Sequence, residues 1–113
     1  LILSEGLSRK RLNLKQLVNT LCTNPAKIFG VYPQKGVIRE GADADLVIID
    51  RKKEWEIKPE KLHHKVNWTP YAGMKITGFP EKTISRGEVI SENGEVIGES
   101  GRGKFLPTKK IES

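Results

Sequence analysis

A chain of 113 residues can bury only one modest core. Its net charge of +6 and pI near 9.6 raise nucleic acid as a partner, but the basic residues are scattered among Glu and Asp. The densest basic groups, Arg9-Lys10-Arg11, Arg51-Lys52-Lys53 and Lys109-Lys110, carry no interleaved aromatics for a single-strand platform and read as solvated faces and a tail.

The single Cys22 excludes an internal disulfide and suits a reducing, cytoplasmic setting, where it reads as a small buried apolar residue. No apolar run approaches the roughly 18 residues of a membrane span. The opening Leu1-Ile2-Leu3-Ser4 has no basic segment before it and is too short for a signal peptide. The expectation is that a longer polypeptide continues upstream of Leu1.

Asn13-Leu14-Lys15-Gln16 predicts a capping box, with Asn13 at N-cap and Gln16 at N3. Leu14, Leu17, Val18 and Leu21 then recur at helical spacing and form one apolar face. Asn24-Pro25 predicts the start of a second short helix, with Asn24 as its cap. Gly30 is placed to end that helix in a left-handed conformation.

After Val31 the apolar period becomes two. Strands are expected at Val37–Arg39, Leu46–Asp50, Glu54–Ile57, Lys75–Thr77, Thr83–Arg86, Glu88–Ser91 and Val96–Ile97. Leu46–Asp50 reads as a buried strand, entered through Asp43 and Asp45, whose short carboxylates suit a turn. Gly87 suggests a bulge or a close backbone approach. Asn93-Gly94 predicts a two-residue hairpin of type I′. Gly98–Ser113 is Gly-rich, then basic, and reads as an extended tail.

Several motifs hint at chemistry, each with a plainer reading. Gly98-Glu99-Ser100-Gly101-Arg102-Gly103-Lys104 has phosphate-loop spacing, but Phe105-Leu106-Pro107 follows where a Mg²⁺-binding hydroxyl and a helix are needed. His63-His64 are adjacent, so they diverge on a strand or a helix and do not close on one metal. Asn67-Trp68-Thr69 matches a glycosylation acceptor without secretory context, and Trp68 and Tyr71 read as packing anchors at a domain junction or subunit contact. Asp43, Asp45 and Asp50 could be taken for a carboxylate cluster, but turn chemistry accounts for the first two and Asp50 ends a strand. No residue of this chain is put forward as catalytic, cofactor-binding or metal-binding.

The order Thr23-Asn24-Pro25-Ala26-Lys27-Ile28-Phe29-Gly30, Tyr32-Pro33-Gln34-Lys35-Gly36 and Gly41-x-Asp43-Ala44-Asp45-Leu46-Val47-Ile48 resembles the C-terminal end of the amidohydrolase superfamily. Leu3-Ser4-Glu5-Gly6, Pro70-Tyr71-Ala72-Gly73-Met74-Lys75, Gly78-Phe79-Pro80, Ile84–Ile90 and Gly101-x-Gly103-Lys104-Phe105-Leu106 extend the likeness across nearly the whole chain. The Pro70-Tyr71-x-Gly73-Met74-Lys75 block and the Gly101-Arg102-Gly103-Lys104-Phe105 tail favour the cyclic-amide hydrolases of the dihydropyrimidinase and hydantoinase branch, with allantoinase and dihydroorotase more distant.

The resemblance implies an α+β fragment. Residues 1–33 would be the last helical segment packed on a (β/α)₈ barrel, 34–97 the strands of a small β-sandwich, and 98–113 an extended C-terminal tail. It implies a parent enzyme that hydrolyses a C–N bond of a cyclic amide, a dihydropyrimidine or hydantoin. Two divalent metals, expected to be zinc, would be held there by a His-x-His pair, a carboxylated Lys, two further His and an Asp. This chain has only its adjacent histidine pair, so those ligands are expected upstream of Leu1. A homotetramer is the implied assembly. Two alternatives carry different functions: a non-catalytic dihydropyrimidinase-related scaffold protein, or a free-standing basic β-domain that binds nucleic acid.

Overall fold

The computed structural model describes residues 1–109. A helical segment comes first, then four strands, then an extended tail.

No local pattern predicts an element before Asn13, yet Leu3–Ser8 coils into a wide π-type turn, within the helical segment that the resemblance implies. Gly6 permits it, because an added Cβ would press on Leu12 at 3.0 Å. The turn packs against the second strand. Ser4 is buried there, and its Oγ accepts the Thr77 N–H at 3.0 Å. Leu3 lies so close over Gly78 (φ +103) that a side chain at that position would overlap it.

The capping box forms as expected. The Gln16 N–H donates to Asn13 Oδ1 and the Asn13 N–H to Gln16 Oε1, each at 2.9 Å. Helix α1 is Leu14–Val18 and α2 is Asn24–Ile28. The predicted break between them is absent. Thr23 and Asn24 are both right-handed helical, and a π turn over Asn19–Thr23 joins the two into one continuous helical run. Asn24 therefore does not cap. The extra residue in the π turn lets the helix pass Pro25, which has no N–H for the regular ladder. Gly30 (φ +68) closes the run. The Gly30 N–H reaches the Lys27 carbonyl at 3.1 Å and the Val31 N–H the Ala26 carbonyl at 2.9 Å, the paired bonds of a Schellman motif.

The sheet is an antiparallel meander in the order β1-β2-β3-β4, with β1 Leu46–Glu56, β2 Lys75–Ser85, β3 Glu88–Glu92 and β4 Glu95–Val96. Pairs of short predicted strands have merged. Leu46–Asp50 and Glu54–Ile57 become one β1 with a bulge between Asp50 and Glu54, where Asp50 Oδ1 accepts the Lys52 and Lys53 N–H groups. Lys75–Thr77 and Thr83–Arg86 become one β2, with Pro80 at a second register shift, where a missing N–H is tolerated. Trp55 donates its indole N–H to the Gly78 carbonyl at 2.8 Å and meets Phe79 edge-on at 5.4 Å, while Lys53 Nζ stands 4.0 Å over the same ring.

Two expectations fail outright. Val37–Arg39 is not a strand but part of the loop between Gly36 and Gly41, both at positive φ, and among the described residues no strand pairs with it. Leu46–Asp50 is a strand but not a buried one: Val47 is 54 % exposed, and Ile48 and Ile49 are open too. The four strands form a single sheet, and among the described residues no second sheet covers it. The internal core is accordingly small: among the described residues, the buried apolar side chains are Leu17, Ala26, Ile57 and Ile76.

Candidate functional site

The most connected polar cluster lies where the loop after α2 meets the β2–β3 turn. Gln34-Lys35-Gly36 brings Lys35 beside the entrance of β1. Lys35 Nζ pairs with Asp43 Oδ2 at 2.8 Å and more closely still with Asp45 Oδ2. The Gln34 side-chain amide also reaches Asp43 Oδ2 at 3.3 Å, and the Asp43 N–H returns to the Gln34 carbonyl at 2.9 Å. The second oxygen of Asp45 accepts the Arg86 N–H at 2.8 Å.

Electrostatics follow from this geometry. Burial alone would lower the Lys35 pKa, but the hydrogen bonds and charges of Asp43 and Asp45 outweigh it and hold the ammonium above the usual lysine range. Burial alone would raise Asp45, but Lys35 and the Arg86 N–H outweigh it and hold the carboxyl below its usual range. Both groups are thus fixed in their charged forms as a structural clamp. The turn reading of Asp43 and Asp45 agrees with these contacts, while Asp50 stays apart at its bulge.

Arg86 carries the clamp onward. Arg86 (φ +45) and Gly87 (φ +83) form a two-residue type I′ turn between Ser85 and Glu88, so Gly87 is a hairpin residue and not a bulge within a strand. The Gly87 N–H reaches the Ala44 carbonyl at 3.0 Å, and the Arg86 guanidinium donates to the Arg102 carbonyl. Arg102 answers with bonds to the Ser85 carbonyl at 2.8 Å and Glu88 Oε2 at 3.2 Å. The Gly98–Lys104 segment is therefore latched to a hairpin, and among the described residues no helix follows it to face a phosphate. An Arg-Gly pair between apolar runs was the available signal for this turn; nothing local announced Arg102 or Ser4.

The other singled-out residues do not converge. His63 Nε2 lies 2.9 Å from the Gly94 carbonyl, at the tip of the Asn93-Gly94 hairpin, which adopts the expected type I′ form. His64 is exposed, and Cys22, within a π turn that buries none of its residues, is exposed where the sequence suggested burial. Trp68 and Tyr71 are both exposed within this chain. Among the described residues no three His, Cys, Asp or Glu side chains gather as a metal site. The aspartates nearest to one another are already occupied by Lys35, so this donor set does not fit a dinuclear centre. Nor is any helix of the described residues long and apolar enough to cross a membrane.

The chain is similar to the L-hydantoinase of Paenarthrobacter aurescens, 39% identical over the whole chain, and to the D-hydantoinase of Ralstonia pickettii, 40% identical over 94% of it. It spans only 25% and 23% of the length of those proteins. Among solved structures it matches a D-hydantoinase from a Bacillus sp. (TM-score 0.93, 34% identity), covering 99% of this chain and 25% of that one. The L-hydantoinase from Arthrobacter aurescens matches with TM-score 0.84 and 41% identity, over 87% and 22% of the two chains. The profile of the amidohydrolase family matches residues 3–90, and the chain belongs to that family.

Proposed function

We propose that this chain is the C-terminal structural part of a metal-dependent hydrolase that opens cyclic amides of the dihydropyrimidine or hydantoin type. The observation that carries the reading is the continuous likeness to hydantoinases along the chain, over about a quarter of their length. Residues 1–33 would pack on the catalytic barrel, 34–97 would supply one layer of a β-sandwich, and 98–113 would be its tail. The exposed apolar faces of α1 and β1 support a further protein layer over both. Two divalent metals, with zinc the expected ion, would be held by residues outside this chain, and the setting would be cytoplasmic.

The test is ring opening of hydantoin and dihydrouracil by the full-length polypeptide, before and after metal chelation. Turnover lost on chelation and restored by Zn²⁺ is expected. Absence of turnover in the metal-loaded protein would overturn the catalytic reading in favour of a scaffold relative. A homotetramer is the proposed assembly, with Phe105 (92 % exposed) offered to a neighbouring copy; a monomeric mass in light scattering would refute it.

A further inference from the structure

The tail does not leave the fold. From Gly98 it approaches Ile90 of β3 so closely that an added Cβ would stand 2.9 Å from that side chain. At Arg102 it is latched to the β2–β3 hairpin by the bonds to Ser85 and Glu88, and by the Arg86 guanidinium on its carbonyl. Seven residues later, at the opposite end of the connection, the Lys109 N–H donates to the Gly30 carbonyl at 2.9 Å. Gly30 suits this contact twice over. Its φ of +68 ends the helix, and a side chain there would overlap the Lys109 carbonyl oxygen.

These bonds close a circuit. From Gly30 the main chain runs to Asp45, Asp45 holds the Arg86 N–H, Arg86 holds Arg102, and the tail returns to Gly30. The circuit matters because α1 and α2 do not themselves pack on the sheet; only the Leu3–Ser8 turn does. We propose that residues 98–109 are an intramolecular strap, fastened at Arg102 and at Lys109, that holds the helical segment and the sheet in one arrangement. The Lys109 anchor is a single exposed bond, while the Arg102 anchor is half-buried and made of several. Together they cooperate, because fastening one end raises the effective concentration of the other end at its site. The strap is short enough for this: seven extended residues reach at most ~25 Å.

Cooperation between distant anchors is what a merely resting tail would lack, and it can be measured. Amide hydrogen exchange by mass spectrometry would be followed on the full-length protein and on two variants, Arg102→Ala and Lys109→Pro. Arg102→Ala leaves Gly30 and Lys109 untouched, yet exchange of the Lys109 amide is expected to rise roughly fivefold, as for loss of one net hydrogen bond. Lys109→Pro removes one exposed N–H and leaves Arg102 untouched, yet exchange across 100–104 is expected to rise as well. Changes confined to each variant's own anchor would overturn the strap. Lys109→Pro decides the matter alone if Arg102→Ala fails to fold, since it deletes a single donor outside every helix and strand.

Discussion

Lys35 shows how a single residue can organise a loop. Its ammonium balances two carboxylates that would otherwise repel each other at the entrance of β1. The pH dependence follows in sign. Asp45 is depressed in the fold, so its contribution is present above the carboxylate range of an unfolded chain, about pH 4, and is lost as pH falls through the lower folded value. Lys35 is raised, so its contribution is present below the unfolded lysine value, about 10.4, and is lost as pH rises through the higher folded value. Between those limits Lys35→Met should cost about 1 kcal/mol or less, because the group is partly solvated and screened. Thermal midpoints of the full-length protein and the variant should differ most near neutrality and converge below about pH 4. A gap that stays constant across that range would remove the ion cluster as its source.

At the scale of elements, the two hairpin turns make a controlled comparison with the tail. Gly87 sits at φ +83 with open space around it, so Gly87→Ala is penalised only by the left-handed backbone, roughly 1–2 kcal/mol. Gly103 has equally open space and no left-handed φ, so Gly103→Ala should stay within about 0.5 kcal/mol. Equal shifts of the urea midpoint for the two variants would refute the turn assignment. The same elements explain what could be read in advance. Asn13-x-x-Gln16, Gly30 and Asn93-Gly94 were legible because their bonds lie within a few residues of each other. Arg51-Lys52-Lys53 and Gly78-Phe79-Pro80 fall between the expected strands, but long-range pairing carries β1 and β2 through them with register shifts. Asn24 looked like a cap because Pro25 follows it, whereas the π turn made a new start unnecessary. The Arg86–Arg102 latch and the Ser4–Thr77 bond join residues 16 and 73 apart, and no local pattern encodes such partners. The candidate site was legible only in part for the same reason: Lys35, Asp43 and Asp45 lie close in sequence, but Arg86 does not.

At the scale of the whole molecule, the distribution of apolar surface is the decisive feature. The predicted face of Leu14, Leu17, Val18 and Leu21 splits. Leu17 is buried by the chain itself, so only part of the face is left for a partner. Leu14, Val18 and Leu21 stay open, at 57 %, 42 % and 47 % exposure, and the run continues through Ile28 and Phe29. A helix stripe of that kind is ordinary on a surface that another layer covers and uncommon on one facing water. The two situations differ in energy at one side chain. If Leu21 faces solvent in the full-length polypeptide, Leu21→Ala removes little packing and should move stability by no more than about 0.5 kcal/mol. If a barrel covers it, the same change leaves a cavity and should cost roughly 2–5 kcal/mol. The proposed packing of residues 1–33 requires the larger value, measured by urea denaturation of the full-length protein. Leu17→Ala calibrates the scale, because Leu17 is already buried within this chain, at 6 % exposure, and it should fall in the same range. A Leu21→Ala effect near zero beside a large Leu17→Ala effect would leave the helix face exposed and refute the barrel contact.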